Sequence, residues 1–196
     1  VKNLKTMSYQ NYFYTPLIHF HEPKYDVFPF VHEFWNTVSN IFYIIVGVNL
    51  VKKKNPLGVQ IVYVGIFSAM FHASGLLVYE ICDEMSILIM THSILEKTKY
   101  KNWWFVYPVY IFGIYCRDFR IFYFILTIMS IVAVIELKRI STNNGRNDYF
   151  YNMLYFFMTA KIFWFAEHYQ QHWYGHMFWH MFSAISLGYA GLIIFP

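Results

Sequence analysis

The stretch EHYQQHWYGHMFWHMFSAISLGYAGLIIF, Glu167 to Phe195, decides the fold. Its second part, Trp173–Phe195, is an apolar run long enough to cross a bilayer, which takes about 20 helical residues. Across the junction of the two parts, His168, His172, His176 and His180 fall at a strict spacing of four. On one helix that spacing makes a slowly drifting stripe. Ionisable groups inside a membrane helix are costly and are functional candidates by default.

The rest of the chain extends the membrane reading. Of 196 residues, 58% are apolar and only 13% charged, about half the charge of a soluble domain. So little polar surface cannot cover a water-soluble globule. Cys82 and Cys116 make neither a disulfide framework nor a CxxC motif. No N-terminal segment has the basic, apolar, small-residue order of a cleavable signal.

Seven apolar spans are predicted: Phe34–Val51, Gly58–Tyr79, Cys82–Glu96, Trp103–Cys116, Arg120–Leu137, Tyr149–Phe165 and Trp173–Phe195. They form one all-α bundle of seven transmembrane helices over residues 34–196, preceded by a pre-membrane segment at 1–33. Alternate loops fall on opposite sides. Lys52, Lys53, Lys54, Lys97, Lys99, Lys101, Lys138, Arg139 and Arg146 gather on one side; Lys2, Lys5, Lys24, Arg117 and Arg120 gather on the other. The positive-inside rule makes the first side cytoplasmic, the N-terminus lumenal or extracellular, and the C-terminus cytoplasmic. Short juxtamembrane basic clusters suit anionic lipid rather than nucleic acid. Neither organelle nor protein partners can be read from the chain.

The polar residues inside spans suggest a site. With the second span ending at Tyr79, His72 lies roughly 10 Å below its lumenal end. His180, seven residues past Trp173, has a similar depth, and Asp83 opens the third span from the same side. Two histidines at i and i+4 face one way and can pinch one ion. Residues at i and i+8 rise about 12 Å apart, too far to share it. One adjacent pair of the stripe can therefore serve one metal. Only His176 and His180 are both inside the span and match the depth of His72. A catalytic zinc commonly takes three protein ligands and a water, and these three histidines fill that description. Against it stands the plain alternative of hydrogen-bonded packing histidines. His168 and His172 read as loop or interfacial residues, His92 as packing, and Lys161 as a snorkelling cation or a partner of Glu167.

Ser68, one turn before His72, is either a small packing residue or a donor to a developing oxyanion. Asp83 is either a helix cap, with Glu84 as a first-turn acid, or a general base toward water activated at the metal. Together the set describes metal-assisted hydrolysis of a carbonyl compound in the membrane.

HEFWNTVSN (His32–Asn40), SAMFHA (Ser68–Ala73), CDE (Cys82–Glu84) and HMFWHMFSA (His176–Ala184) resemble the alkaline ceramidases, within a wider group of seven-span hydrolases that includes the adiponectin receptors. The resemblance implies zinc on His72, His176 and His180, catalytic positions at Ser68 and Asp83, and cleavage of ceramide to sphingoid base and fatty acid. It also implies a calcium site before the first span, of which Glu22 and Glu33 remain. Two of its usual acidic and amide positions hold His19 and Lys24 instead. Calcium wants six to eight oxygens, so the chain is expected to do without it, Lys24 neutralising Glu22 and Glu33. The competing readings are a hydrolase of another lipid amide or ester, and a receptor or transporter with structural histidines.

Overall fold

A computed structural model describes residues 14–98, 100 and 102–195, so Lys2, Lys5, Lys99 and Lys101 lie outside the described residues. Those residues are helical with no strand. The helices are α1 (Phe34–Ser39), α2 (Ile41–Lys52), α3 (Leu57–Ser74), α4 (Leu77–Glu96), α5 (Val106–Tyr115), α6 (Arg120–Asn143), α7 (Asn147–Gln170) and α8 (Gly175–Ile194). Helices α1 and α2 make one rod interrupted at Asn40, so seven rods are present among the described residues. Four are long and apolar enough to cross a membrane: the α1–α2 rod, α3, α6 and α8. Helix α4 matches the span length but carries Glu80, Asp83 and Glu84. Helix α7 is longer and carries polar residues at both ends. Helix α5, with ten residues, reaches only about 15 Å.

The rods pack around Ile61, Leu88, Leu95, Met129 and Ile193, all essentially without exposure. Helices α2 and α3 meet through glycines. A Cβ on Gly58 would stand 2.5 Å from the Gly47 carbonyl oxygen, and one on Gly47 2.7 Å from that of Gly58. Small residues at such crossings let membrane helices touch backbone to backbone.

The structure corrects the helix ends that the apolar pattern predicts, and those ends place the site. The second span does not continue to Tyr79. It stops at Ser74, because Gly75 takes a left-handed conformation (φ 66°) as the C-cap and Leu76 is extended. Hydropathy misses the break because SGLL is flanked by apolar residues on both sides. The next helix therefore starts at Leu77, and Asp83 sits about 9 Å inside it rather than at its mouth. Neither it nor Glu84 caps anything: Leu76 is the N-cap, and Glu84 accepts from the Tyr110 hydroxyl at 2.8 Å. His72 is only two residues from its helix end, about 3 Å along the axis rather than the expected 10 Å.

The histidine stripe is also broken. Gln171 has φ 58° and ends α7, and the His172 amide closes that end on the Ala166 carbonyl at 3.2 Å. His168 thus lies in the last turn of α7, half-buried and stacked on Trp164 with ring centroids 4.0 Å apart, not in a loop. His172 is exposed in the turn, and only His176 and His180 belong to α8.

Candidate metal centre

Three histidines converge from two helices. His72 comes from the last turn of α3, and His176 and His180 from successive turns of α8. All are buried, and one ring nitrogen from each can be chosen so that all three lie within 4.8 Å of one another. Ring centroids are 4.9 Å apart for His72–His176, 5.1 Å for His72–His180 and 4.4 Å for His176–His180. Zinc–nitrogen bonds of about 2.0–2.1 Å need ligating nitrogens within about 4 Å, so a small side-chain adjustment suffices.

The rings are oriented from behind. Glu33 Oε2 is 2.6 Å from His72 Nδ1, and Ser39 Oγ is 2.8 Å from His180 Nδ1. Each contact leaves Nε2 of that ring available for an ion, and such outer partners fix the tautomer and raise the basicity of a ligand. His176 Nδ1 is buried with no hydrogen-bond partner among the described residues. Three buried nitrogen donors gathered in this way could hold a metal ion.

Ser39 and Asn36 are the contributors that sequence reasoning missed. Asn36 is fully buried, donates through Nδ2 to Glu33 at 3.1 Å and accepts at its carbonyl from Ser39 and Asn40. The signal was present in HEFWNTVSN: polar residues at 33, 36, 39 and 40 share one face at the head of an apolar span.

Glu33 also faces Lys24, whose ammonium bonds both its Oε1 and the Phe20 carbonyl. Burial pushes the Glu33 carboxyl up, but the hydrogen bond and charge of His72 and the ammonium of Lys24 outweigh it and hold it at about 2. The expected neutralisation by Lys24 is thus present for Glu33. It is not present for Glu22, which instead accepts the backbone N–H groups of Trp35 at 2.6 Å and Asn36 at 2.8 Å. Every carboxylate oxygen of the pair already holds a hydrogen-bond donor and a cation sits among them, so these residues do not fit calcium.

The segment before α1 roofs the site. Phe20 lies 3.9 Å from His176 and 5.1 Å from His72 between ring centroids. Buried carboxylates of the bundle hold the backbone beside it: Glu80 accepts from Leu17 and Ile18, and Glu167 from His21 at 2.5 Å. The His32 and Glu33 amides close the end of α3 on the Ala73 and His72 carbonyls, each at 2.9 Å. Glu167 is therefore an anchor for this strap and not a partner of Lys161.

Below the roof a cavity of about 380 Å³ begins at His176, His180, Ser68 and Asp83 and continues along apolar residues of α6 and α7, among them Ile131, Ile135 and Leu154. Ser68 of α3 and Asp83 of α4 face this cavity together. Asp83 Oδ1 is buried with no hydrogen-bond partner among the described residues. His92 stands apart, bonded to the Tyr107 hydroxyl at 2.8 Å.

Buried histidines that can hold a metal, at the head of an apolar cavity in an all-helical bundle with four rods long and apolar enough to cross a membrane, make a candidate hydrolase site for a lipid. A family model described as Ceramidase matches residues 14–195, and the chain belongs to the Ceramidase family. No curated protein matches it.

Proposed function

We propose that this protein is a zinc-dependent amidase that cleaves ceramide to sphingoid base and fatty acid inside the membrane. Family membership supports the substrate. The observation that carries the chemistry is the gathering of His72 with His176 and His180, the last two lining a cavity that Asp83 and Ser68 also line. The three histidines would hold the metal, which when bound supplies Lewis acidity and lowers the pKa of a water to about 7.

The protein's own groups do the rest. Apolar residues of α6 and α7 bind the acyl chain and bring the amide carbonyl to the head of the cavity. The Asp83 carboxylate, with one oxygen unengaged, takes a proton from water as its oxygen attacks the acyl carbon. The Ser68 hydroxyl donates to the carbonyl oxygen as charge builds there. Asp83 then returns the proton to the amide nitrogen, the C–N bond breaks, and a free amine and a carboxylic acid leave. Glu33 and Ser39 keep the rings of His72 and His180 aimed throughout. Removing such an outer contact lowers metal affinity roughly 10- to 100-fold. Ser39→Ala is therefore expected to shift zinc binding by that amount in a competitive chelator titration, with the fold unchanged by circular dichroism.

Calcium is not part of this reading, because Lys24 already fills its role beside Glu33. Ceramide turnover by purified protein is expected to be unchanged by calcium-selective chelation under buffered zinc. Activity lost on chelation and restored by calcium alone would refute this.

The membrane arrangement we favour is seven spans, with the metal centre and residues 1–33 on the lumenal side. The basic ends of α2, α4 and α6 would then lie on the cytoplasmic side. Exposed Cys116, in the α5–α6 connection, is expected to react with an impermeant maleimide only after the lumenal face of sealed microsomes is opened. Labelling of intact cytoplasmic-side-out vesicles contradicts the orientation.

A further inference from the structure

Lys161 has no part in the chemistry above, yet it lines the cavity from the middle of α7. Its ammonium lies over three aromatic rings, 4.8 Å from the Trp179 centroid, 5.2 Å from Trp164 and 5.6 Å from Phe157. No hydrogen bond or salt bridge engages it among the described residues, and the acids of the cavity wall, on α4, are not paired with it. Aromatic faces steady a cation but do not neutralise it, and a cation at membrane depth without a counter-charge is costly. Ceramide is neutral and cannot supply that charge. One product of its hydrolysis can.

We propose that Lys161 is the carboxylate-binding residue for a long-chain fatty acid held in this cavity, an inference that rests on the hydrolase reading. The chain of such an acid has a place to lie, along Ile131, Ile135 and Met158. These residues line the cavity and are also exposed on the outer surface, so the cavity opens toward lipid between α6 and α7. After cleavage, the new carboxylate exchanges the catalytic head of the site for the ammonium on the cavity wall, on the way to the lipid-facing opening. The three rings shield the ammonium in part from water, which strengthens a charge-assisted hydrogen bond to carboxylate.

The test is equilibrium binding to the full-length, zinc-loaded protein in nanodiscs of zwitterionic lipid, comparing oleate with oleyl alcohol. The ratio of the two dissociation constants cancels any general damage to the cavity. Wild type and Lys161→Arg are expected to prefer oleate by roughly tenfold or more, the scale of a hydrogen bond to a charged group, and Lys161→Met by nothing. An equal preference in wild type and Lys161→Met overturns the proposal. So does a preference abolished by adding an equal amount of anionic phospholipid to the disc, which would make the ammonium a headgroup site. Binding is read without turnover, so a protein that fails to cleave ceramide but shows the Lys161-dependent preference overturns only the substrate assignment.

Discussion

His180→Ala protein is expected to emerge from purification without zinc and to hydrolyse ceramide at least about 10³-fold more slowly than wild type. The size follows from removing a charge-stabilising group worth about 4 kcal/mol from a dry site. The loss should reach the metal itself because two histidines remain where a catalytic zinc takes three protein ligands. His180 is also the ring that ties α8 to α1 through Ser39, so the folded state needs its own check. Unchanged helical signal and detergent-size profile, alongside absent zinc, assign the loss to the metal centre. Zinc retained at one ion per chain would show that the three histidines are not its ligands.

Asp83→Asn is expected to separate metal binding from chemistry. The change keeps the shape of the side chain and removes the base. Zinc content should stay at the wild-type level while turnover falls by roughly 10²- to 10⁴-fold, the usual contribution of a positioned general base. Asp83 sits two turns inside α4 and lines the cavity with Ser68, and asparagine fills the same space. Stability should therefore change little. Equal turnover in the variant would move the proton transfer to another group on the cavity wall, with Glu80 and Glu84 the neighbours to test.

The membrane character and the three histidines were legible in the sequence because both depend on local facts: apolar run length, and a spacing of four on one helix. The depth argument that joined His72 to His176 and His180 picked out three residues that do lie together, though from a helix end five residues too far along. What it lacked was Gly75, whose left-handed cap ends α3 within an apolar context that hydropathy reads as continuous. The same error made Asp83 look like a cap. The parts that were not legible are long-range. Ser39 and Asn36 matter through contacts to residues 141 positions away and to Glu33 across a helix start. Glu80 and Glu167 hold backbone amides 63 and 146 residues distant. No periodicity encodes such pairings, although a buried carboxylate with no cation beside it does signal that some donor must be found for it.

The most direct measurement is ceramide turnover by purified wild-type protein as its metal is stripped and then restored stepwise. Turnover is predicted to vanish in the stripped protein and to rise in proportion to zinc bound, levelling at one ion per chain. Full turnover by metal-free protein would contradict the account.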